Sequence, residues 1–167
     1  MRIKFVEHKN LPGKELQEIV RIKSRAWPYS QEEQLKWIKN NIKENDVHVL
    51  LCGPEDKIIA YANLINIYVK INDHDYSALG IGNVCAYEKG KGDGKRLMQF
   101  VNEFLLQNDK IGFLFCTEKL INFYRWNQWV LIQKAKTVFA FNNELVETMV
   151  FNWNEGLRRV EYKGLAF

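Results

Sequence analysis

Three glycines at alternate positions constrain the fold of this chain more than any other feature of its sequence. Gly90, Gly92 and Gly94 follow an apolar segment that ends at Ala86, and an amphipathic segment that includes Leu97 comes after them. Glycine adopts backbone conformations that other residues avoid, so this segment predicts a tight turn whose backbone can approach a ligand closely. We therefore expect a strand, a loop and a helix in succession.

Hydrophobic periodicity and turn residues predict the other elements. An initial strand is expected over residues 2–8 and a helix over residues 12–27, and Ser30 with Glu33 forms a capping box that begins a second helix. Further strands are expected at residues 47–52, 57–70, 76–86 and 113–116, then a helix at 117–125 and two late strands near 129–141 and 145–153.

This order of elements defines a fold class. The strand, loop, helix and strand between residues 79 and 116 form a βαβ unit, so the sheet is expected to contain a parallel pair. The predicted class is α/β (α+β), with a mixed central sheet of about six to seven strands flanked by about four helices. The chain has 167 residues, which fits a single domain over residues 1–167.

Composition predicts a folded protein that needs no disulfide or metal to hold its core. Hydrophobic residues make up 47% of the chain and aromatic residues 13%, which excludes intrinsic disorder. Cys52, Cys85 and Cys116 lie in apolar runs without a CxxC pair, so buried, reduced thiols are expected rather than a zinc or redox site. The three histidines are scattered, and no metal site is predicted.

The expected compartment is the cytoplasm. The first residues are charged and carry no signal-peptide core, and no segment approaches the ~20 apolar residues of a membrane helix. Reduced cysteines agree with this location. No membrane partner is expected, and a homodimer is compatible with the sequence.

Basic residues gather around the glycines. The net charge is +4, and Lys89, Lys91, Lys95 and Arg96 all lie in this short segment, while the rest of the chain is nearly balanced. Lysines beside the start of a helix, where backbone N–H groups are free, predict an anion site of the kind that binds phosphate. A nucleic-acid partner is not expected, because only Tyr87 offers a neighbouring aromatic ring for stacking.

Two familiar phosphate loops fit the segment poorly. In a GxxxxGK[ST] loop, Lys89 would replace the first glycine and Arg96 would replace the hydroxyl residue that binds magnesium. In a GxGxxG dinucleotide loop, the three glycines are one residue short, and the preceding strand is the fourth rather than the first.

A third kind of loop fits better. The run Lys89-Gly90-Lys91-Gly92-Asp93-Gly94 resembles the R/Q-x-x-G-x-G/A signature of the GNAT superfamily of acyl-CoA-dependent N-acetyltransferases, with lysine in place of the usual Arg or Gln. Val84 stands where that family keeps an apolar residue at the end of its fourth strand. The segment Asn122–Trp129 is similar to the family's F/L-Y-x-x-x-G-F ending, and the order of elements agrees along the whole chain.

The resemblance implies a single-domain GNAT-like fold with acetyl-CoA (coenzyme A) as cosubstrate. Backbone amides around the end of the fourth strand would hold the acetyl carbonyl and pantetheine, and those of the glycine segment would hold the pyrophosphate. The cofactor-binding residues that it implies are Val84, Cys85, Ala86, Lys89, Gly90, Lys91, Gly92, Asp93, Gly94 and Lys95.

The resemblance also implies a catalytic residue. Tyr124 corresponds to the tyrosine that often protonates the departing thiolate in this family; the alternative is one more aromatic side chain on an apolar helix face. Gln128 stands where glycine is common in the family, and we expect Asn127 to take a left-handed conformation in the turn there. A general base is not evident: the fourth strand offers only Asn83, and His74 and Asp75 at its entry could act through water. An acceptor that is already partly neutral at pH 7 requires no dedicated base.

The acceptor implied by the resemblance is an amine, carried by a small molecule or a peptide. Trp27 and Tyr29 are candidates for an acceptor-binding wall, and Asp73, Asp75 and Glu144 for the attraction of a cationic amine; each is better explained by core packing or ordinary turn charge. A non-catalytic acyl-CoA-binding or sensing domain of the same fold remains the alternative function.

Overall fold

The structure, a computed structural model, describes residues 1–142 and 144–167. Its strands are β1 (Arg2–Glu7), β2 (Val47–Cys52), β3 (Ile58–Ile71), β4 (His74–Ala86), β5 (Ile111–Cys116), β6 (Val130–Ile132), β7 (Thr137–Phe139), β8 (Glu147–Phe151) and β9 (Val160–Tyr162). Its helices are α1 (Gly13–Ala26), α2 (Gln31–Asn41), α3 (Asp93–Gln107) and α4 (Ile121–Trp126), with single 3₁₀ turns at His8–Asn10, Pro54–Asp56, Glu118–Leu120 and Lys134–Lys136.

The strands form one mixed sheet, which confirms the predicted fold class. The order is β1-β2-β3-β4-β5-β8-β6, and β9 pairs with both β3 and β7. Strands β4 and β5 are parallel, as the βαβ unit requires, and so are β7 and β9. In the described residues the sheet has nine strands, more than the six to seven expected.

The additional strands come from the last third of the chain. The predicted strand over residues 129–141 is divided by the 3₁₀ turn at Lys134–Lys136, so that β6 pairs with β8 and β7 pairs with β9. Strand β9 could not be predicted, because a strand of three residues is too short to show alternation of apolar and polar side chains.

Residues 1–65 and 82–101 form one compact unit. In its core, Ile19 and Ile22 of α1 and Ile38 of α2 pack with Leu50 and Tyr61 of the strands. Helix α2 begins where the sequence predicts. The Ser30 hydroxyl accepts a hydrogen bond from the Glu33 N–H at 3.2 Å, and the Glu33 carboxylate accepts one from the Ser30 N–H at 2.8 Å. Such a capping interaction stabilises a helix by about 1 kcal/mol.

Residues 66–81 and 102–167 form a second compact unit. An aromatic cluster lies in it, with Phe115 in ring contact with Phe139, Phe141 and Phe167 at centroid distances of 4.8–5.4 Å. Gly80 of β4 has no room for a side chain, because an added Cβ would lie 2.5 Å from the Phe167 ring. Close packing against the Phe167 ring, rather than backbone flexibility, therefore explains the glycine at position 80.

All three cysteines are free and buried, as predicted. No helix among the described residues has the length and apolar character needed to span a membrane.

Candidate active site

The carboxyl end of β4 extends beyond its parallel partner. In the described chain the ladder between β4 and β5 covers Ala78–Ile81 and Ile111–Leu114, while β4 continues to Ala86. Asn83 has a φ of +53°, which breaks the extended strand just past the end of the ladder. A non-glycine residue in this region marks an irregularity such as a β-bulge.

The backbone groups at this end of β4 have a defined direction. The Tyr87 N–H donates to the Ile59 carbonyl at 2.8 Å, which fixes the pairing with β3. Because peptide groups alternate between the two edges of an antiparallel strand, those of Cys85 also point towards β3, and those of Val84 and Ala86 point the opposite way. The N–H and C=O groups of Val84 and Ala86 therefore point away from β3, and the described β4–β5 ladder, which ends at Ile81, does not pair with them.

The glycine segment follows this strand directly. Gly90 and Gly92 have φ values of +82° and +81°, and a Cβ built on either would meet nothing within 4 Å. Conformation rather than crowding therefore requires glycine at these two positions. Gly94 differs, because it lies in the first turn of α3.

Helix α3 begins at the end of the loop. The Arg96 N–H donates to the Gly92 carbonyl at 3.0 Å, so Gly92 caps the helix. The N–H groups of Asp93, Gly94 and Lys95 precede the first intrahelical donor and have no partner within the helix. These three amides, together with the helix dipole, favour an anion at this end of α3.

Acidic side chains already pair with part of the basic cluster. The Asp93 carboxylate accepts a hydrogen bond from Arg96 Nη1 at 3.0 Å, and Glu88 lies 3.9 Å from the Lys91 ammonium. Lys89 and Lys95 are exposed and make no ion pair within the described part of the chain. Of the predicted cofactor-binding residues, Asp93 therefore offers its backbone N–H, and Lys89 and Lys95 offer uncompensated charge.

Tyr124 lies on α4 and is 5% exposed. Its ring packs edge-on against Phe123 at 5.0 Å and Trp129 at 6.4 Å between centroids. Its carbonyl accepts hydrogen bonds from the Asn127 and Trp129 N–H groups, at 2.9 and 3.1 Å. These contacts hold the tyrosine in one position on the helix.

A buried network fixes the end of α4. The Trp129 indole N–H donates to Asn102 Oδ1 at 2.9 Å, and Asn102 Nδ2 donates to the Asn127 carbonyl at 2.8 Å. The turn itself corrects one expectation: Gln128, with a φ of +69°, takes the left-handed conformation, and Asn127 has a φ of −95°. Gln128 thus occupies the left-handed conformation that glycine adopts most readily, and its side chain is exposed.

The proposed acceptor wall and base candidates are placed as follows. Trp27 packs partly buried against the core that contains Tyr61, whereas Tyr29 is 61% exposed. Asn83 Nδ2 donates to Asn63 Oδ1 at 2.6 Å, so its amide is engaged in a partly buried pair. His74 is exposed, and its Nδ1 lies 3.1 Å from the Asn72 carbonyl.

A cleft of about 570 Å³ lies beside Tyr87, the residue that joins β4 to the glycine segment. Arg21 and Arg25 pack over the Tyr87 ring at 4.4 and 4.5 Å from its centre. The charged side chains of the cleft are paired: Glu18 with Arg21 at 2.8 Å, Glu55 with Lys57 at 2.9 Å, and Glu88 with Lys91 of the glycine segment at 3.9 Å. Charge alone therefore selects no ligand for this cleft.

The structure also reveals buried polar residues that sequence reasoning missed. His48 and Tyr61 are both 0% exposed, and Lys23 is 2% exposed. His48 Nδ1 lies 2.9 Å from the Tyr61 hydroxyl, and His48 Nε2 lies 2.9 Å from His8 Nδ1. A histidine inside the apolar strand of residues 47–52 was the available signal, since an isolated polar residue there must find a buried partner.

Burial sets the protonation of this group. It lowers the pKa of His48 to about 4, with the nearby charges of His8 and Lys23 acting in the same direction. It also lowers the pKa of Lys23 to about 8 and raises that of the Cys85 thiol to about 12. His48 is thus neutral and Cys85 a protonated thiol at physiological pH.

Among residues 1–142 and 144–167, no group of three or more His, Cys, Asp and Glu side chains is placed to hold a metal ion.

Sequence comparison identifies the family. The family described as "Acetyltransferase (GNAT) domain" matches residues 7–132, which is most of the chain. The chain therefore belongs to the GNAT acetyltransferase family, as its glycine segment and order of elements indicate. No curated protein matches the sequence.

Solved structures show the same fold. The GNAT-family protein YhbS from Escherichia coli, in complex with CoA, superposes with a TM-score of 0.68 at 12% identity, covering 99% of this chain and 96% of its own. An acyl-CoA N-acyltransferase from Pseudomonas aeruginosa gives 0.64 at 17% identity, covering 90% and 99%. An aminoglycoside 6'-N-acetyltransferase complexed with coenzyme A gives 0.64 at 10% identity, covering 90% and 96%. At these identities the likeness concerns the fold.

Proposed function

We propose that this protein transfers an acetyl group from acetyl-CoA to a primary amine on a small molecule or peptide. One observation carries the proposal: the open edge of β4 at Val84 and Ala86 leads directly into a loop with two left-handed glycines and then into the start of α3. Along this continuous backbone, the end of β4 offers hydrogen-bond donors to the thioester arm, and the loop and the start of α3 offer donors to the phosphates. Family membership and the CoA-bound neighbours support the same assignment.

Each part of this backbone has a proposed role. The N–H groups of Val84 and Ala86 are suited to the acetyl carbonyl and the pantetheine arm, where fixed donors stabilise developing negative charge. The amides that begin α3 and the free charges of Lys89 and Lys95 are suited to the pyrophosphate. The glycines at 90 and 92 let the loop backbone approach those phosphates without side chains in between.

The acetyl group is proposed to pass directly to the amine. An acyl-enzyme route needs a reactive thiolate, and burial raises the pKa of Cys85 to about 12 and that of Cys116 to about 11. Neither thiol ionises at neutral pH. Direct attack by the amine nitrogen forms the C–N bond and breaks the C–S bond, and the nitrogen loses a proton while the departing sulfur gains one.

Tyr124 is proposed to protonate the departing thiolate. A phenol and an alkyl thiol have similar acidities, so proton transfer between them is close to balanced. The ring contacts with Phe123 and Trp129 hold the side chain in place for this role. A proton from solvent restores the phenol after each turnover.

A non-catalytic acyl-CoA sensor remains the second candidate, and one observation favours it. The polar residue nearest the carboxyl end of β4, Asn83, is engaged by Asn63, and no carboxylate side chain lies between Ala78 and Ala86. Without a base, a bound amine would stay protonated and unreactive.

One experiment separates these functions. Acetyl-CoA binding is measured by calorimetry, and thiol release is followed across a panel of alkylamines, arylamines, aminoglycosides and peptide N-termini. Binding together with amine-dependent thiol release is expected. Binding without release for any amine would favour the sensor, and absence of binding would contradict both functions.

A further inference from the structure

Two asparagines form a pair at the irregular end of β4. Asn83 Nδ2 donates to Asn63 Oδ1 at 2.6 Å. Asn63 is 0% exposed, and its own Nδ2 has no hydrogen-bond partner within residues 1–142 and 144–167. Burial of a polar group with incomplete pairing destabilises a fold, and a native protein that retains such a group has a reason for it. The pair is therefore a candidate for a functional role.

Asn83 presents a hydrogen-bond acceptor that a ligand can reach. The residue is only half-buried, unlike Asn63, and its Oδ1 is neither paired nor enclosed in the part of the chain that the structure describes. The hydrogen bond to Asn63 engages the Nδ2 end of the amide and so restrains the plane of the side chain. The pair thus holds one free carbonyl oxygen at an accessible position.

This amide lies on the face of the sheet that α1 and α2 cover. Asn63 and Tyr61 are two residues apart on β3 and therefore face the same side. Tyr61 packs in the core that includes Ile19 of α1 and Ile38 of α2. Since the Asn83 side chain reaches Asn63, it lies on that side of the sheet as well.

The backbone connects this amide to the proposed thioester site. The Val84 N–H belongs to the peptide bond that follows Asn83, so a carbonyl oxygen bound by that N–H lies close to the Asn83 side chain. Asn83 has a φ of +53°, just beyond the ladder with β5, and asparagine tolerates this conformation better than most residues with a side chain. Asparagine thus supplies both the irregular backbone and a polar group at this position.

We propose that Asn83 binds the acceptor amine through Oδ1 and that Asn63 is a positioning residue that acts through Asn83; the inference rests on the proposed function. Oδ1 accepts a hydrogen bond from an N–H of the neutral amine, which orients the nitrogen lone pair towards the thioester carbonyl carbon beside Val84. Asn83 takes up no proton, because its amide oxygen is only a hydrogen-bond acceptor. The bonds that form and break are those of the direct transfer described above.

The test measures acetyl transfer to the amine of the panel that gives the fastest thiol release. Asn83→Gly removes the side chain but keeps the left-handed conformation, which glycine adopts freely. We expect kcat/KM for the amine to fall about tenfold, as the loss of one hydrogen bond predicts, while the Kd of acetyl-CoA changes less than about twofold.

Asn152→Gly is the matched control. Asn152 also has a positive φ, of +59°, and its amide donates to the Lys110 carbonyl at 3.1 Å. This substitution removes the same side chain from the same kind of backbone conformation, and kcat/KM for the amine should change less than about twofold.

Asn83→Asp tests which end of the amide faces the acceptor. Aspartate also tolerates a positive φ and retains an oxygen in place of Oδ1, and Asn63 can turn its amide so that the unpaired Nδ2 donates to the carboxylate. We therefore expect kcat/KM to stay within about threefold of the wild-type value or to exceed it. A fall as large as that in Asn83→Gly would show that an N–H rather than an oxygen faces the amine, and would overturn the proposal.

Asn63→Ala, alone and combined with Asn83→Gly, tests the positioning role. Alone it should lower kcat/KM by about three- to tenfold, because the Asn83 amide is then free to rotate. In the Asn83→Gly background it should cause no further fall, because Asn63 acts only through Asn83. Independent, additive losses would show that Asn63 is only structural and would overturn its assignment.

Failure of this inference is distinct from failure of the proposed function. If the wild-type protein acetylates an amine and Asn83→Gly does so equally well, or if Asn152→Gly shows an equal fall, the role of Asn83 is wrong and the acetyltransferase function stands. A wild-type protein that releases no thiol with any amine would contradict the proposed function itself.

Discussion

The Lys23 ammonium lies 3.9 Å from the centre of the Trp37 ring, and this lysine is only 2% exposed. The fold thus provides a cation–π contact for the buried ammonium. An aromatic face compensates a buried cation less fully than a carboxylate does. Burial accordingly lowers the pKa of Lys23 from 10.5 to about 8. The protein thus keeps a side chain whose charge destabilises the folded state.

The contribution of Lys23 to the stability of the protein should therefore rise in mildly alkaline solution. Between pH 8 and 10.5 the unfolded chain binds a proton at Lys23 that the folded protein does not, so the contribution of this residue to the free energy of unfolding increases with pH in this window. The full effect is about 3 kcal/mol. Lys23→Met should remove this rise and should raise stability at pH 7 by up to the same amount, as measured by urea unfolding.

The comparison of wild type with Lys23→Met isolates this effect, because other groups also titrate at alkaline pH. Lys36→Met is the matched control, since it removes an exposed lysine from α2. If the difference between wild type and Lys23→Met stays constant from pH 7 to 10, the buried-charge explanation is wrong.

His48 should make the protein sensitive to mild acid. Its pKa is about 4 in the folded protein against 6.5 in the unfolded chain, so unfolding takes up a proton between these values and stability falls as pH drops from 6.5 to 4. The loss from this residue is about 3 kcal/mol. His48→Gln should flatten that part of the unfolding profile, whereas His74→Gln, in an exposed turn, should leave it unchanged. An unaltered slope in His48→Gln would count against a neutral His48.

Gly92→Ala tests whether the loop conformation matters for the cosubstrate. Alanine at a φ of +81° is strained, so we expect about 1 kcal/mol lower stability and weaker binding of acetyl-CoA, because relief of the strain moves the loop amides. Gly13→Ala is the control: that glycine begins α1, does not have a positive φ, and has open space around it. Calorimetric titration of both variants checks this, and equal affinity in Gly92→Ala would exclude a strict backbone requirement.

The regular part of the fold could be predicted because its signals are local. The strand at Val47–Cys52 has the predicted bounds, and β3 differs from its predicted limits by one residue at each end. The Ser30 capping box is formed by residues three apart in the chain, so the sequence contains the whole interaction. The glycine segment likewise contains both the glycines of the turn and the start of the helix within a few residues, so its structure could be predicted locally.

The buried polar residues could not be predicted, because their partners are distant in sequence. His8 and His48 are 40 residues apart, and Lys23 reaches Trp37 on another helix. Lys23 lies on the apolar face of α1, where a lysine normally extends its ammonium to solvent, and the packing of α2 prevents this. The burial of such residues depends on tertiary contacts, which hydrophobic periodicity along the sequence does not reveal.

Tyr124→Phe separates the proposed acid from a packing role. Phenylalanine retains the ring contacts with Phe123 and Trp129 but cannot donate a proton, so kcat should fall about a hundredfold while the affinity for acetyl-CoA stays within about twofold. The defect should shrink with an acetyl thioester of a more acidic thiol, because a better leaving group needs less protonation. Tyr68→Phe, on an exposed side chain, is the control. Turnover equal to that of the wild type would remove Tyr124 from the mechanism and leave it as part of the aromatic packing around α4.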